Sequence, residues 1–217
     1  MFDLIHLYSL CGTIFSHSIP HTRDNRGFYA IAFSYFQVLN GKKLYRKGYK
    51  DVLNQTKTLE EIMGSSSLQG IIISLMLRYL YKNLDDSQFE VITNEIGLHV
   101  SKGNNLSSDI IIYNAKEARD YRIDDHYFNV APQLVIEVDV KIQTDNHKMM
   151  EYVYEKTNLL FSFGVEKVIW IFSNEKKIFL AEPNQDWIIR DWHKDFEIMP
   201  NHTINLLKMI EDRGYIL

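Results

Sequence analysis

The clearest alternation of apolar and polar residues in this chain lies at residues 133–141, Gln-Leu-Val-Ile-Glu-Val-Asp-Val-Lys. Successive side chains of a β-strand point to opposite faces, so the pattern predicts a strand at residues 134–140. Its apolar face comprises Leu134, Ile136, Val138 and Val140. Its polar face carries Glu137, Asp139 and Lys141. Such a face is typical either of an ordinary solvent-facing strand or of a site that holds a divalent cation.

A second predicted strand, at residues 109–113, begins with an acid and continues as an apolar, β-branched block, Asp-Ile-Ile-Ile-Tyr. If it pairs with the strand that carries Glu137, the two backbones lie ~4.8 Å apart. The carboxylates of Asp109 and Glu137 would then reach one cation, and hard oxygen ligands favour Mg²⁺ or Mn²⁺. The second strand therefore favours the metal-site interpretation.

Turn and helix signals predict the elements that precede these strands. An aromatic-rich stretch at residues 28–39 ends at Asn40-Gly41, a dipeptide typical of a type I′ turn, so a hairpin is expected there. Thr58 is a candidate N-cap of a short helix, with acids in its first turn. Apolar residues at helical spacing over residues 68–80 predict a longer helix with one buried face.

The remaining pattern predicts strands and one further helix. A helix is expected at residues 148–163, which Gly164 ends, and a long polar loop at residues 114–130. Further strands are expected at residues 89–93, 96–100, 168–172, 177–181 and 187–190.

Composition places the chain among ordinary globular proteins. It has 217 residues, of which 46% are hydrophobic and 13% aromatic, enough to bury a sizeable core. We expect one domain at residues 26–217 and an N-terminal appendage at residues 1–25. The single Cys11 cannot form an intramolecular disulfide and favours a reducing, cytoplasmic location. Neither a signal peptide nor a membrane-spanning stretch is predicted.

Charge gives a weaker indication of partners. The net charge of −4 disfavours a large non-specific nucleic-acid surface, yet residues 42–50 interleave lysines and Arg46 with tyrosines that could contact phosphates and bases. An exposed hairpin edge protected by lysines gives the same pattern. Trp187 and Trp192, in a polar C-terminal segment, would suit a subunit contact, so homo-oligomerisation is an open alternative.

The order helix, three strands, helix, strand, with acids on the second and third of those strands, resembles the restriction-endonuclease-like PD-(D/E)xK superfamily. More narrowly, the chain resembles the Uma-two family of endonucleases from about residue 36 to residue 171. The matching segments are residues 36–41, 108–112, 134–138 and 164–171, together with Lys156. The resemblance implies an α/β fold of the α+β type, with a restriction-endonuclease-like core and added N- and C-terminal strands.

The resemblance also implies which residues form the site. Asp109 and Glu137 correspond to the metal ligands. The superfamily's basic residue usually lies two positions after the Glu, where this chain has Asp139. The family instead carries a lysine on the following helix, which points to Lys156.

Other residues leave the details of this site open. Lys141 and Lys148 are local alternatives to Lys156. Lys148 and Lys156 lie on the same face of the predicted helix, and an ordinary solvent-exposed face would show the same spacing of lysines. Gln37 stands where the family typically has Glu, and Gln69 where it typically has His.

The resulting hypothesis is hydrolysis of nucleic-acid phosphodiester bonds, with DNA as the expected partner and Mg²⁺ or Mn²⁺ as the cofactor. Asp109, Glu137 and additionally Asp139 would hold the metal, and Lys156 or Lys141 would act on the phosphate. The alternative is a catalytically inactive module of the same fold that binds nucleic acid or a protein. A carboxylate-based enzyme acting on sugars is disfavoured, because adjacent strands do not place two acids across a cleft.

Overall fold

The computed structural model describes residues 35–121, 123–143 and 148–217 of the chain. The predicted appendage at residues 1–25, Cys11 included, lies outside the described residues, as does most of the aromatic stretch at residues 28–39. The division into an appendage and one domain therefore remains a prediction.

The described strands are β1 (Tyr35–Leu39), β2 (Lys42–Tyr45), β3 (Phe89–Ser101), β4 (Asn104–Asn114), β5 (Leu134–Val138), β6 (Lys167–Phe172), β7 (Lys177–Ala181), β8 (Ile188–Asp191), β9 (Phe196–Met199) and β10 (His202–Ile204). The described helices are α1 (Tyr49–Leu53), α2 (Glu60–Met63), α3 (Ser67–Asn83), α4 (Ala115–Asp120), α5 (Met149–Phe163) and α6 (Leu206–Glu211).

Eight of the described strands form one sheet, in the order β2-β1-β4-β5-β6-β7-β8, with β3 added on β4. β5 and β6 are parallel, and the other neighbours are antiparallel. β3 follows β4 along its length, so β1 and β5 must share the other edge of β4. β1 pairs there at Asn105, and β5 pairs at residues 110–112. This leaves a gap beside residues 107–109, between the ends of β1 and β5.

The predicted hairpin is confirmed at β1 and β2. Asn40 and Gly41 have φ angles of 51° and 73°, as a type I′ turn requires at both central positions. Gly41 also donates a backbone hydrogen bond to the Gly103 carbonyl (2.9 Å), which fixes the hairpin against the β3–β4 turn. β2 is the edge strand of the sheet, so its exposed lysines at positions 42 and 43 protect an edge.

Local capping explains where the helices begin and end. The Glu61 carboxylate accepts from the Thr58 backbone N–H (2.6 Å), and the Thr58 hydroxyl accepts from the Glu61 N–H (3.4 Å), a reciprocal pair at the start of α2. Ser66 caps α3 by accepting from the Gln69 N–H (3.1 Å). α5 ends at Gly164, whose φ of 118° suits a residue without a Cβ.

The core lies in two layers, one on each side of the sheet. α3 and the C-terminal β9, β10 and α6 cover one face, and α5 covers the other. β5 is consequently buried at all five of its positions. The interpretation of its polar side as a solvent-facing surface is therefore wrong.

The strand predicted at residues 134–140 is two residues shorter. Asp139 adopts a left-handed conformation, with a φ of 62°, which ends β5 at Val138. The chain then crosses to the segment that follows β2, where the Lys47 backbone N–H donates to the Lys141 carbonyl (2.7 Å). Glu137, Asp139 and Lys141 therefore do not share one regular strand face.

β3 is one strand, although the sequence predicts two. The β4 register moves from Thr93 opposite Ile110 to Ile96 opposite Ser108, so Asn94 and Glu95 form a β-bulge opposite Asp109. The two bulge residues have φ angles of 90° and 52°. The predicted break between two strands is this bulge.

The predicted polar loop at residues 114–130 is largely ordered within the described residues. It begins with α4 and then packs back on β3, where the Phe128 carbonyl accepts from the His99 N–H (2.7 Å). The Tyr121 and Phe128 rings stack at 4.8 Å between centroids. The loop therefore covers part of the outer edge of β3.

The C-terminal β9, β10 and α6 were not predicted. They pack on the α3 side of the sheet and bury Trp192, which is 2% exposed. A subunit contact through Trp192 is therefore wrong. Among the described helices, none has the length and apolar character needed to cross a membrane.

A candidate metal centre between the sheet and a helix

Asp109 and Glu137 lie side by side in the gap between β1 and β5. β4 and β5 pair Ile110 with Ile136, so the next antiparallel step brings Asp109 alongside Glu137. The Asp109 Oδ2 atom accepts from the Val138 backbone N–H (2.8 Å). The two residues are 3% and 5% exposed, so both carboxylates lie beneath the surface.

Lys156 lies on α5, and its side chain reaches the Glu137 carboxylate from the helix that covers this face of the sheet. Its ammonium lies 2.8 Å from Glu137 Oε1 and donates to the Ser107 carbonyl (2.7 Å). It also lies 5.5 Å from the centre of the Trp170 ring. Lys156 is 1% exposed, so the interpretation of this helical face as an ordinary solvent face is wrong at this position.

Burial dominates the electrostatics of this pair. Burial raises the pKa of the Glu137 carboxyl, the Lys156 ammonium partly lowers it, and the Asp109 carboxylate raises it further. Burial is the largest single influence on the pKa of Lys156 and lowers it, but Glu137, Tyr152 and Asp109 together outweigh burial, and the net pKa is raised. Each group therefore depends on the other for its charge.

Gln37 and Tyr152 connect β1 and α5 at the edge of the site. The Tyr152 hydroxyl donates to Gln37 Oε1 (3.2 Å), and Gln37 Nε2 donates to the Ser107 hydroxyl (3.2 Å). Burial raises the pKa of Tyr152 to about 12, so the phenol stays neutral at physiological pH. Gln37 thus contributes an amide to the edge of the site.

Gln69 acts from the other face of the sheet. Its Nε2 donates to the Val138 carbonyl (2.8 Å), and the residue is 5% exposed. The end of β5 is therefore held by a side chain of α3 as well as by the Asp109 carboxylate.

Lys141 and Glu95 form the outer part of the site. The Lys141 ammonium contacts Asp109 Oδ1 and lies 3.2 Å from Glu95 Oε1. Arg46 lies 3.4 Å from Glu95 Oε2. Sequence reasoning missed Glu95, and the available signal was the interruption between two predicted strands at residues 94–95.

Two of the sequence candidates are placed differently from the others. The Asp139 carboxylate accepts from the Ser173 backbone N–H and hydroxyl, both at 2.7 Å, although the residue also lines the site cavity. Lys148 is the exposed residue that precedes α5 and is not among the cavity-lining residues. The structure therefore brings together Asp109, Glu137, Lys141 and Lys156.

The site cavity is small and adjoins a much larger groove. The cavity measures about 10 Å³, close to the space of a single water molecule. The neighbouring groove measures about 660 Å³ and shares Asp139 and Lys141 with the cavity. The groove carries charges of both signs, because its lining includes Arg46, the exposed Lys47 and Lys50, and the acids Asp51, Glu61 and Glu175.

The residues present fit a divalent cation. Asp109 and Glu137 supply hard carboxylate oxygens of the kind that Mg²⁺ and Mn²⁺ prefer. The Lys141 ammonium at Asp109 and the Lys156 ammonium at Glu137 show that each carboxylate accommodates a positive charge. A cation at Asp109 and Glu137 is therefore compatible with the chemistry of the site.

A separate group of candidate ligands lies on the surface loop after α4. The side chains of Asp124, Asp125 and His126 approach within 4.8 Å of one another and are exposed. Exposed acidic residues adopt such arrangements without a metal, and this group shares no residue with the site at Asp109.

Comparison with known proteins supports the fold. A model of the Uma2 family, described as "Putative restriction endonuclease", matches residues 56–197, a segment that contains Asp109, Glu137, Lys141 and Lys156. The chain is similar to a crystal structure described as a putative nuclease belonging to DUF820 from Anabaena variabilis, at 11% identity and a TM-score of 0.57, covering 81% of this chain and 89% of that one. No curated protein matches the chain. The predicted α/β, nuclease-like fold is confirmed.

Proposed function

The chain belongs to the Uma2 family, which is described as "Putative restriction endonuclease", and we propose that it hydrolyses nucleic-acid phosphodiester bonds with the help of a divalent metal, Mg²⁺ or Mn²⁺. DNA is the proposed substrate. The observation that carries the proposal is the arrangement of two buried carboxylates, Asp109 and Glu137, each in contact with a lysine. Family membership alone leaves the chemistry open, since one fold serves many functions.

Asp109 and Glu137 are the residues that would hold the metal. When bound, a divalent cation lowers the pKa of a water molecule and offsets the charge that develops on the phosphate. The protein prepares both ligands through its own contacts, because the Val138 N–H fixes Asp109 and the Lys156 ammonium fixes Glu137. Asp139 keeps the end of β5 in place through Ser173.

The two lysines have different tasks in this proposal. Lys156 is buried and holds Glu137 and the Ser107 carbonyl, so it acts as a positioning residue. The Lys141 side chain is 14% exposed and borders the groove, so a phosphate that enters from the groove reaches Lys141 first. Its compact charge suits a contact with a phosphate oxygen.

The groove gives the substrate a path to the site. The lysines at positions 47 and 50 would contact a polyanion in this groove, although the acids that also line it weaken the attraction. The groove meets the cavity at Lys141. The phosphodiester backbone then lies across the opening above Asp109.

A second candidate function rests on the size of the cavity. A space of about 10 Å³ does not admit a phosphate group in the described conformation, whereas the groove of about 660 Å³ accommodates an extended ligand. An inactive module that binds nucleic acid in the groove is the alternative.

The deciding experiment is a cleavage assay with supercoiled plasmid, single-stranded DNA and RNA, each with Mg²⁺, Mn²⁺ or chelator. Asp109→Asn and Glu137→Gln remove one charge each while preserving size. Asp125→Asn, on the surface loop, is the matched control. We expect metal-dependent cleavage that falls by about 100-fold or more in the two site variants and is unchanged in the control.

The outcomes separate the two candidates. Equal traces of cleavage in the wild type and in both site variants would refute the nuclease proposal. Tight binding of DNA without cleavage, weakened when Lys47 and Lys50 are changed to glutamine, would establish the binding module. The substrate cleaved fastest identifies the class of nucleic acid.

A further inference from the structure

Glu95 is an acid of the site that neither the predicted pattern nor the resemblance includes. Its carboxylate lies 3.2 Å from the Lys141 ammonium, which also contacts Asp109. Glu95 lines the same small cavity as Asp109 and Glu137. Lys141 is thus shared between two carboxylates from neighbouring strands.

The position of Glu95 follows from the β-bulge in β3. Asn94 and Glu95 together oppose Asp109, so the bulge brings a carboxylate toward the site from the edge opposite β5. The Thr93 hydroxyl donates to the Asp109 carbonyl (2.8 Å), which fixes the bulge against β4.

An unsatisfied group in the same cavity points to a ligand. Ser108 is 2% exposed and lines the cavity, and its hydroxyl lies close enough to the Glu137 carboxylate to lower the pKa of that carboxyl, yet it makes no well-formed hydrogen bond in the described part of the chain. Buried hydroxyl groups are normally hydrogen-bonded, so an unsatisfied one beside two carboxylates suits an additional polar ligand. A hydrated cation would supply that partner.

We infer that Glu95 adds a third carboxylate to the cation site at Asp109 and Glu137, and that the Lys141 ammonium and a divalent cation exclude each other there. This inference deepens the proposed function and rests on it for the identity of the metal. In the metal-free protein the Lys141 ammonium offsets part of the negative charge of the two carboxylates that it contacts, and Arg46 lies 3.4 Å from Glu95 Oε2. When a divalent cation binds, Lys141 is released toward the groove, where a phosphate can meet it.

The charges in the site support exchange over simultaneous occupancy. A lysine and a divalent cation that share the same carboxylate oxygens repel each other, and this repulsion is strong because Asp109 is 3% exposed. The Lys141 side chain is 14% exposed and can leave for the groove, unlike Lys156 at 1%.

The test measures Mn²⁺ affinity by isothermal titration calorimetry on the full-length protein. The variants are Lys141→Met, Glu95→Gln and Lys141→Met combined with Asp109→Asn. Lys102→Met, in the β3–β4 turn, and Glu90→Gln, near the start of β3, are the matched controls. Lys141→Gln provides a second lysine variant, and thermal melting confirms that each variant is folded.

We expect Lys141→Met and Lys141→Gln to bind Mn²⁺ about tenfold more tightly, because the competing charge is gone, and Glu95→Gln to bind about tenfold more weakly. Asp109→Asn should abolish the gain of Lys141→Met. Unchanged or weaker Mn²⁺ binding in the folded Lys141 variants overturns the inference. So does an Mn²⁺ affinity of Glu95→Gln that equals the affinity of Glu90→Gln. Absence of Mn²⁺ binding in the wild type and in every lysine variant also overturns it.

The cleavage assay distinguishes this inference from the proposed function. Tighter Mn²⁺ binding by Lys141→Met in a protein that never cleaves nucleic acid supports the cation exchange and refutes the nuclease. Metal-dependent cleavage, together with an Mn²⁺ affinity that is the same in the wild type and in Lys141→Met, supports the nuclease and refutes the exchange.

Discussion

The site contains two groups of lysine and carboxylate side chains that differ in their exposure to solvent. Lys156 and Glu137 are sealed between α5 and the sheet, with side chains 1% and 7% exposed. Lys141, at 14%, pairs with the buried Asp109 and with Glu95, whose side chain is 39% exposed. One pair can separate only if the core opens, and the other can separate into the groove.

This difference assigns separate tasks to two lysines that look alike in the sequence. A buried ion pair that loses one partner leaves an uncompensated charge in a medium that solvates it poorly. A partly exposed pair that loses one partner is compensated by water and salt. We call Lys156 with Glu137 the inner pair, and Lys141 with Asp109 and Glu95 the outer pair. We expect the inner pair to determine stability and the outer pair to determine cation and phosphate binding.

The strongest way to break the comparison is Lys156→Met. Glu137 would remain buried without its cation, so we expect the free energy of unfolding to fall by about 3–5 kcal/mol. Urea denaturation followed by circular dichroism measures this change, with Lys148→Met at the exposed start of α5 as the control. Combining Lys156→Met with Glu137→Gln should recover part of the loss. A loss below about 1 kcal/mol would show that the inner pair is not sealed.

Asp139→Ala tests whether Asp139 is a structural anchor or a metal ligand. It removes two hydrogen bonds to Ser173 and places alanine at a left-handed φ, so we expect a loss of about 2 kcal/mol. Asp139→Asn tolerates that backbone and keeps an acceptor, so it should lose less. Both variants should retain Mn²⁺ affinity in calorimetry, and a large drop in affinity for both would make Asp139 a ligand.

The pH dependence of the stability of Tyr152→Phe tests whether water is excluded from the region around Lys156 and Glu137. The folded pKa of Tyr152, about 12, lies above its ordinary value of 10.0. A raised pKa gives stability that is fully present below the ordinary pKa and is lost as pH rises through the folded one. Between pH 9 and pH 11 the stability advantage of the wild type over Tyr152→Phe should shrink by about 1 kcal/mol.

Denaturant titrations at these two pH values measure the change. Tyr154→Phe, on the exposed side of the same helix, is the control and should show no such trend. If the difference between the wild type and Tyr152→Phe stays constant, the phenol contacts water more freely than the contacts with Gln37 indicate.

The smallest expected effect is that of Lys141→Met on stability. The lysine is partly exposed, so we expect a loss of no more than about 1 kcal/mol. The same denaturation experiment, with Lys102→Met as the control, compares the loss of stability in Lys141→Met with the loss in Lys156→Met. A loss equal to that of Lys156→Met would remove the distinction on which the two roles rest.

Much of the fold was predictable because local signals are strong where they occur. The Asn40-Gly41 turn requires two positive φ angles, and Gly164 ends α5 for the same kind of reason. The pairing of the strands that carry Asp109 and Glu137 followed from two apolar blocks, each with an acid.

Less of the site was predictable, because its arrangement depends on contacts distant along the chain. The polar positions after Val138 looked like a strand face, but the left-handed Asp139 and the contact of residue 141 with the segment that follows β2 redirect the chain. Glu95 enters through a bulge that only the register against β4 defines. The roles of Asp109, Glu137, Lys156 and Lys141 in catalysis and metal binding stay predictions.

Alternation, caps and turn residues act over a few neighbouring positions, so they were enough to predict the order of the central strands and helices and the candidate pair of acids. Which lysine is buried and which is partly exposed could not be read from those local signals. That distinction depends on α5 covering Glu137 and on the groove remaining beside Asp109, and burial of a charge is set by the layers that pack around it.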